Sequence, residues 1–356
     1  MHALVIGGTG FVGRHTVAEL LDHGYDVTSM DRGAHGFRFG EASPVERVAA
    51  DRTDEDVLAE AAERVGPDFV VDCAAYHPGD VRTATEVFAD AEAYVYVSSG
   101  GVYSAHTIPK REDETPLHDC TPEQAEDDTM ATYGPRKAEC DREADAAADR
   151  GVAAVTVRPT MVYGPKTIRS PDGDASRATD VPVTWAGEGF PGLQNHHDYW
   201  IDRVNRYDRV VVPGDGTAIW HRAYVEDVAS AIRVVAERGE PGEAYNVGDR
   251  RVCTMEDVID LIADALDTSV AVVHASEREL AEDGLDPDDF VLYHHLGSRY
   301  PHVLDTCKLA SLGWESTPVE RSIARTVEES LASGRDGGAF DPGRDAEERV
   351  LDALVG

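Results

Sequence analysis

The sequence predicts a doubly wound α/β fold, in which helices cover both faces of a mainly parallel sheet and a smaller C-terminal α/β lobe follows. Three observations support this prediction. A short apolar run at 2–6 breaks into a glycine-rich turn, and a helical pattern follows at once. Strand and helix patterns then alternate up to residue 158, as parallel sheets require. The periodicity weakens after Gly164, where glycine, proline and aspartate become frequent.

The N-terminal turn carries glycines at positions 7, 8, 10 and 13, and apolar residues at helical spacing follow it. Glycines allow a tight turn, a close approach of phosphate to the backbone, and close packing of the helix on the strand. The start of the helix offers free N–H groups and the positive end of its dipole. We therefore predict that a dinucleotide binds at this turn.

A second strand, predicted at 25–30, ends in Asp31 and Arg32. An acidic residue at the end of this strand, about 20 residues beyond the glycines, suits the ribose hydroxyls of NAD. The carboxylate would repel the 2′-phosphate of NADP, whereas Arg32 beside it could accommodate one. We expect NAD as the cofactor, and NADP remains the alternative.

The rest of the first domain continues the same alternation. The predicted elements are strands at 45–49, 67–75, 94–97 and 152–158 and helices at 54–65 and 133–149. Asp51 follows the third strand and is either an adenine ligand or a cap of the next helix. Ala74 and Ala75 end the fourth strand, and their small side chains leave room for a cofactor. The acidic, irregular stretch 104–132 predicts a long surface loop.

The second half predicts shorter elements. They are helices at 199–204, 225–236, 255–266 and 318–331 and strands at 209–212 and 244–247. We expect a first domain at 1–165 and a substrate-binding lobe at 166–335, some segments of which could return to the first domain. The last residues, 336–356, predict an acidic, partly ordered tail.

The chain has 356 residues and a formal net charge of −35, from 68 acidic and 33 basic residues that are spread over its whole length. Such a charge repels itself in dilute buffer and is screened in molar salt, where the Debye length is about 3 Å. We interpret it as adaptation to a salt-rich cytoplasm. The same charge argues against nucleic acid or an anionic membrane as a partner.

Other residue types exclude further classes of site. Five scattered cysteines without CxxC spacing predict reduced thiols and no structural zinc. The pairs His196-His197 and His294-His295 are adjacent in sequence, so their rings diverge, and we expect no metal site. No stretch approaches the 18 apolar residues of a membrane span, and no basic or apolar leader precedes the first strand. We expect a soluble, cytoplasmic protein.

Tyr133 and Lys137 are four residues apart on one predicted helix, so their side chains share a face. An ammonium group close to a phenol favours the phenolate and lowers the pKa of the tyrosine. Tyr133 could then take a proton from an alcohol while hydride leaves for the cofactor, or return one to a carbonyl. Ser99, at the end of the fifth strand, can hydrogen bond to the same substrate oxygen, and Lys137 is also a candidate for the nicotinamide ribose.

With these motifs the chain resembles the extended short-chain dehydrogenase/reductases, within the NAD-dependent sugar epimerase/dehydratase family. The resemblance covers residues 3–165 well and continues weakly through Pro213-Gly214-Asp215-Gly216, Tyr224-Val225-Glu226-Asp227-Val228-Ala229, Tyr245-Asn246-Val247-Gly248 and Leu312-Gly313-Trp314. It implies a Rossmann domain, a Ser99–Tyr133–Lys137 triad, and a homodimer formed through a four-helix interface. It also implies cofactor contacts from Gly7, Gly10, Phe11, Val12, Gly13 and Asp31, with Asp51 near the adenine and Pro159 near the nicotinamide.

Three departures from the family pattern concern the substrate. Gly100-Gly101 stand where sugar 4,6-dehydratases carry an Asp-Glu pair, so we expect no dehydration by that route. Thr160-Met161 and Trp220 stand where members that bind a nucleotide diphosphate often carry an Asn and an Arg. Arg222, close to Trp220, is a candidate substitute. Further candidates are Arg169, Arg177, His196, His197, Arg203 and Arg206.

These observations predict an enzyme that uses NAD to oxidise a hydroxyl of a sugar or nucleotide sugar. An epimerase would return the hydride on the other face of the substrate, whereas a dehydrogenase or reductase would release the reduced cofactor. A different class also remains open, because some relatives of this fold are nucleic-acid-binding or regulatory proteins.

Overall fold

The structure is a computed structural model of the chain. It describes residues 1–32, 39, 43–168, 196–287, 290, 301–335, 337 and 343–355, and the side chains of His196 and Trp220 are not among the described atoms. Four residues named above lie outside the described residues: the substrate candidates Arg169 and Arg177, and the pair His294-His295.

The first half follows the predicted alternation closely. Its elements are β1 (His2–Ile6), α1 (Phe11–Asp22), β2 (Asp26–Asp31), β3 (Glu46–Ala49), α2 (Glu55–Val65), β4 (Phe69–Asp72), α3 (Pro78–Val87), β5 (Ala93–Val97), α4 (Pro122–Ala125), α5 (Tyr133–Asp149), β6 (Ala154–Pro159) and β7 (Met161–Tyr163). Pro135 lies in the first turn of α5, where the absent N–H costs no hydrogen bond.

The second half has more and shorter elements. They are α6 (His196–Arg206), β8 (Arg209–Pro213), β9 (Ile219–Trp220), β10 (Arg222–Tyr224), α7 (Val225–Arg238), β11 (Ala244–Val247), β12 (Cys253–Thr254), α8 (Met255–Ala265), β13 (Ala271–Ala275), α9 (Glu277–Glu282), α10 (Cys307–Ser311), α11 (Val319–Ser333) and α12 (Arg344–Val355).

Seven of the described strands form one parallel sheet in the order β11-β6-β5-β4-β1-β2-β3. Alternate residues enter different cores, because successive side chains of a strand point to opposite faces. Val5 and Val95 pack in the core that includes residues of α1 and α7, whereas Leu4 and Tyr94 pack in the core that includes residues of α2, α3 and α5. The predicted doubly wound fold is confirmed. The strand order reverses between β1 and β4, where such sheets bind ligands beyond the carboxyl ends of the strands.

Segments from the second half return to this sheet. Helix α7 packs against α1, and β11 adds a strand beside β6. Leu309 and Trp314 join the same core. These are the returning segments that the sequence left open. The remaining lobe is built on β8 and β13, which pair in parallel, and on α6, α8 and α11, which share a core.

The C-terminal segment is more ordered than the sequence suggested. Instead of a partly ordered tail, α12 docks against β8 through Val350 and Leu351, which follow the buried Glu347 by three and four residues and are buried beside Val211. Glu347 is fully buried, accepts a hydrogen bond from the Val211 amide at 2.8 Å, and pairs with Arg203. Arg203 therefore serves the packing of this helix rather than the candidate role in substrate binding.

The stretch 104–132 is not only a surface loop. Lys110 is buried, and its backbone bonds to Val303 and Asp305 at 2.7 and 2.8 Å. These bonds tie the loop to a segment almost 200 residues later, which periodicity within the loop could not reveal. They place residues 301–305 next to the end of β5, where the candidate site lies.

Within the described ranges, no helix is both long and apolar enough to cross a membrane. None of the five cysteines forms a disulfide.

Candidate active site

The glycine turn between β1 and α1 is closely packed against itself. Gly7 adopts a φ of +80°, and its amide donates to the carbonyl of Met30 at 2.8 Å. A Cβ on Gly13 would lie 2.1 Å from the Gly7 carbonyl oxygen, and a Cβ on Gly7 would lie 3.1 Å from the Ala74 methyl. Since no side chain fits at these positions, the backbone itself lines the crevice.

The start of α1 has no side-chain cap on its amide groups among the described residues. Gly10 occupies the N-cap position, and Phe11 and Val12 are half-buried in the first turn. Uncapped N–H groups at a glycine turn form a suitable cradle for a pyrophosphate. The residues present therefore fit the dinucleotide that the sequence predicts.

The acidic residue at the end of β2 has a basic neighbour that the sequence analysis missed. The Asp31 carboxylate, mostly buried, lies 3.3 Å from the Arg47 guanidinium, whereas Arg32 is exposed. The parallel register of β2 and β3 pairs Ser29 with Arg47. Arg47 was not identifiable without that register.

Asp51 is not the cap of the following helix. Its carboxylate accepts hydrogen bonds from the Thr53 amide at 3.1 Å and the Thr53 hydroxyl at 2.8 Å, and these bonds lower the pKa of Asp51. Asp54 caps α2 instead, by accepting from the Val57 amide at 3.2 Å. The capping interpretation of Asp51 is therefore wrong, because the three-residue offset that a cap needs is met by Asp54.

A buried ionic network supports the end of β4. Asp72 is fully buried, pairs with Arg52, and accepts from the Tyr94 hydroxyl at 3.0 Å. Its other oxygen accepts from the Ala74 amide at 2.9 Å, and Arg52 also lies 3.0 Å from Asp80. The network fixes the turn in which Ala74 packs against Gly7. Only the acidic residue that ends an otherwise apolar strand hints at it in the sequence.

The predicted triad comes together beyond the ends of β4 and β5. Ser99 and Tyr133 both lie beside Gly101, where a Cβ would be 3.3 Å from Ser99 Oγ and 3.6 Å from Tyr133 Cε1, and the Gly101 amide donates to Ser99 Oγ at 3.1 Å. Lys137 is 3% exposed, and its Nζ donates to the carbonyl oxygens of Ala75 at 3.1 Å and Val97 at 3.0 Å. Backbone carbonyls of two strand ends thus hold the ammonium group one helical turn from the phenol.

The electrostatics of Tyr133 differ from the expectation. Burial raises the pKa of Tyr133, and the neighbouring Ser99 hydroxyl and the charge of Arg136 oppose that rise. Burial also lowers the pKa of Lys137. The expectation that Lys137 would lower the pKa of the phenol is wrong for this structure, because desolvation dominates and the ammonium group is directed at two carbonyls.

Arg136 is a charged group that the sequence analysis missed. It is 3% exposed, and its hydrogen bond among the described residues, to Thr132 Oγ1, is long at 3.4 Å. No carboxylate of the described chain lies within 4.0 Å of its guanidinium. A buried cation next to a catalytic candidate makes Arg136 a further candidate for the site. Its place between Tyr133 and Lys137 in the sequence was visible, but its burial was not.

Arg136→Gln is expected to shift the pH profile of turnover. Loss of a positive charge near the phenol destabilises the phenolate, so the pKa of Tyr133 rises further. Oxidation of an alcohol needs the phenolate. The rise of kcat/KM with pH should therefore move to higher pH, and below that rise kcat/KM should be severalfold lower than in the wild-type protein. Arg142→Gln, at a partly exposed position on the same helix, is the matched control. Equal pH profiles for the two variants would show that Arg136 does not influence the pKa of Tyr133.

At the substrate end, the region around Gly100 is filled by a residue from much later in the chain. A Cβ on Gly100 would lie 2.8 Å from His302 Nε2, 3.0 Å from Leu304 Cδ1 and 3.4 Å from the carbonyl oxygen of Pro159. The carbonyl oxygen of Pro159 therefore lies beside Gly100. His302 is a functional candidate that no sequence pattern singled out.

The other substrate candidates make different contacts. Thr160 is buried and donates from Oγ1 to the His221 carbonyl at 2.9 Å. Met161 begins β7 and is half-buried, and Trp220 lies in β9. Arg222 is buried, and burial lowers its pKa. Arg206 pairs with Asp202, and His197 is buried against the ring of Tyr163 at 4.7 Å.

His221 connects the segment 301–305 to the residues that follow β11. Its Nδ1 accepts from the Leu304 amide at 3.1 Å, and its Nε2 lies 2.8 Å from the Asp249 carbonyl oxygen. A ring that accepts at one nitrogen and donates at the other is the neutral tautomer, and burial lowers the pKa of His221 accordingly. Gly248 leaves the room for this ring, since a Cβ there would lie 2.4 Å from it.

Among the residues described, no group of three or more His, Cys, Asp or Glu side chains is arranged to hold a metal ion.

Comparison with known proteins identifies relatives along most of the chain. The family model described as "NAD dependent epimerase/dehydratase family" matches residues 3–248. A UDP-glucose 4-epimerase of Azospirillum brasilense is 25% identical over 93% of this chain and 95% of its own. The chloroplast stem-loop binding protein of 41 kDa b of Arabidopsis thaliana is 23% identical over 74% of this chain and 62% of its own.

Among solved structures, the crystal structure of a UDP-glucose 4-epimerase from Thermus thermophilus in complex with NAD is similar in fold. Its TM-score is 0.65 at 23% identity, and the match covers 94% of this chain and 100% of that one.

Proposed function

The chain belongs to the NAD-dependent epimerase/dehydratase family, and on that premise we propose that it moves a hydride between bound NAD and a nucleotide sugar, with Tyr133 as general acid and base. The family match supports an enzyme and supports NAD as its cofactor. The reaction and the roles of individual residues are our proposal.

One observation carries the proposal: the Ser99 hydroxyl and the Tyr133 ring both lie beside Gly101, and strand-end carbonyls fix Lys137 one helical turn after Tyr133. When bound, NAD supplies the acceptor and donor of the hydride. Tyr133 takes the proton of the reacting hydroxyl at its Oη and returns it to the carbonyl on reversal. Ser99 hydrogen bonds to the same substrate oxygen, and Lys137 holds the nicotinamide ribose.

The cofactor contacts follow from the glycine turn. Gly7, Gly10 and Gly13 would let the pyrophosphate approach the start of α1, with Phe11 and Val12 in its first turn. Asp31 would bind the ribose hydroxyls, and its negative charge favours NAD over NADP. Asp51 would lie near the adenine, and Pro159 near the nicotinamide. Further proposed contacts are those of Ala74 and Ala75 along the crevice.

Among reactions of the family, epimerisation is the proposal we favour. Gly100 and Gly101 leave the hydroxyl pair without the acidic neighbours that an elimination needs. An epimerase keeps its cofactor through the cycle, whereas a dehydrogenase or reductase, the alternative, exchanges it.

The test begins with protein purified both in molar KCl and in dilute buffer, because the charge of −35 suggests a salt-adapted surface. Mass spectrometry identifies any retained dinucleotide, and light scattering tests the homodimer that we propose through a four-helix interface that includes α5. UDP-glucose, dTDP-glucose and free glucose are then assayed with NAD and NADP. Formation of the 4-epimer with NAD retained is the expected result. Stoichiometric NADH release would favour the dehydrogenase, and turnover of none of them would contradict the proposal.

The similarity to a chloroplast stem-loop binding protein keeps a second function in view. Phosphate contacts dominate RNA affinity and need a basic surface, which opposes this function in a chain of net charge −35. RNA binding in molar salt that is unchanged in Tyr133→Phe would favour it over the enzymatic proposal.

A further inference from the structure

Gly100 has no side chain, and the imidazole ring of His302, from the C-terminal half, occupies the space beside it. His302 Nε2 lies 2.8 Å from the point that a Cβ on Gly100 would occupy, and Leu304 Cδ1 lies 3.0 Å from it. The imidazole therefore stands directly beside the residue that follows Ser99. Position 100 and residue 302 share one volume, and only one of them can fill it.

The segment that carries His302 is held firmly. The Leu304 amide donates to His221 Nδ1 at 3.1 Å, and the Val303 carbonyl accepts from the Lys110 amide at 2.7 Å. Lys110 and His221 are themselves buried. The two residues that follow His302 are thus both hydrogen bonded to buried residues, and these bonds fix the backbone that positions the ring.

The ring is neutral and has one nitrogen to offer. Burial together with the nearby charge of Lys110 lowers the pKa of His302 to about 4, so the imidazole is uncharged at neutral pH. A neutral imidazole that donates at one nitrogen accepts at the other. His302 is only partly buried, so a bound ligand beside Ser99 can reach it.

Resting on the function proposed above, we propose that His302 is a specificity-determining residue, which accepts a hydrogen bond from a sugar hydroxyl next to the carbon that is oxidised beside Ser99. The substrate class is then a nucleotide sugar that carries a free hydroxyl on the carbon next to the oxidised one, rather than a sugar that is deoxygenated at that neighbouring carbon. A site built to bond a hydroxyl discriminates strongly against an analogue that lacks it.

His302→Ala should raise KM for UDP-glucose about tenfold, the equivalent of one hydrogen bond of about 1.4 kcal/mol, with a smaller change in kcat and none in NAD binding. His302→Asn, whose amide oxygen can accept the same bond, should recover part of the loss. If the panel of sugars identifies a better substrate, that substrate replaces UDP-glucose in the assay.

Gly100→Ala tests the shared volume independently. The added methyl group would displace the imidazole, so the single variant should raise KM as His302→Ala does. In the double variant Gly100→Ala/His302→Ala the methyl group no longer meets the imidazole, so the second substitution should raise KM little further. Such non-additive effects are expected for residues in contact and not for distant sites. Gly79→Ala, at a position with no heavy atom within 4 Å of the new Cβ, is the matched control.

The outcomes separate the two proposals. Turnover by the wild-type protein with an unchanged KM in His302→Ala, or additive effects in the double variant, would overturn the role of His302 alone. If His302→Ala weakens NAD binding as much as it raises KM, the ring serves folding, and the proposed role of His302 is overturned as well. A wild-type protein that neither binds nor turns over any nucleotide sugar of the panel would overturn the proposed function, and the contact with its substrate would fail with it.

Discussion

Tyr133→Phe is expected to lower kcat by about 10²- to 10⁴-fold, the usual contribution of a positioned acid or base. The substitution removes only the phenolic oxygen, and with it the proton transfer. Lys137 keeps its bonds to Ala75 and Val97, and the glycine turn is untouched. NAD affinity should therefore equal that of the wild-type protein, as measured by titration of the purified apoprotein.

Tyr25→Phe provides the control for loss of a tyrosine hydroxyl. Tyr25 donates to Glu237 at 3.0 Å on the surface, away from the crevice, and its loss should leave kcat unchanged. Ser99→Ala should give a smaller loss than Tyr133→Phe, because it removes a hydrogen bond to the substrate oxygen and not the proton donor. Full activity in Tyr133→Phe would assign the chemistry to another group.

The sequence predicted those parts of the site that depend on neighbours along the chain. The glycine turn is one strand–turn–helix unit, and Tyr133 and Lys137 are one helical turn apart, so local rules suffice for both. The end of β2 at Asp31 follows from hydrophobic pattern and length. The parallel sheet brings these local motifs to one edge without further information.

The parts that were missed depend on contacts distant in the chain. His302 reaches Gly100 only because a segment at 301–305 pairs with Lys110 and rests on His221. Neither its spacing nor its neighbours in the sequence distinguish this histidine from a surface residue. Arg136 poses a different difficulty, because its position on the helix was known but its burial depends on the packing of the surrounding loops.

The tail shows how burial can outweigh composition. Residues 344–355 are acidic and were expected to be partly ordered, yet Val350 and Leu351 fall on one face of a helix that packs on β8. The buried pair of Glu347 and Arg203 would be costly in isolation, and the bond from the Val211 amide helps to satisfy it. An acidic residue in this segment is thus part of the interior.

Gly13→Ala should abolish measurable NAD binding, with a loss of affinity of at least about 100-fold. The new Cβ would lie 2.1 Å from the carbonyl oxygen and 2.8 Å from the carbonyl carbon of Gly7, and 2.9 Å from Gly8 Cα. All three are backbone atoms, which cannot rotate away as a side chain can. The turn must open or α1 must move, and either change displaces the amides that would meet the pyrophosphate.

Gly10→Ala and Gly79→Ala make this prediction graded. A Cβ on Gly10 would lie 3.1 Å from the Gly7 oxygen, a contact that small shifts can relieve, whereas Gly79 has no neighbour within 4 Å. NAD affinity should therefore fall most for Gly13→Ala, less for Gly10→Ala and not at all for Gly79→Ala. Wild-type affinity in Gly13→Ala would show that the dinucleotide does not bind at this turn.

Thermal unfolding with and without NAD distinguishes a lost site from a lost fold. Overpacking of this kind costs about 1–3 kcal/mol of stability, so Gly13→Ala should remain folded with a lower Tm. A ligand that binds only the native state raises Tm, and this rise should vanish in Gly13→Ala while it persists in Tyr133→Phe. The two variants then separate the crevice that binds the cofactor from the hydroxyl that moves the proton, since each removes one and leaves the other intact.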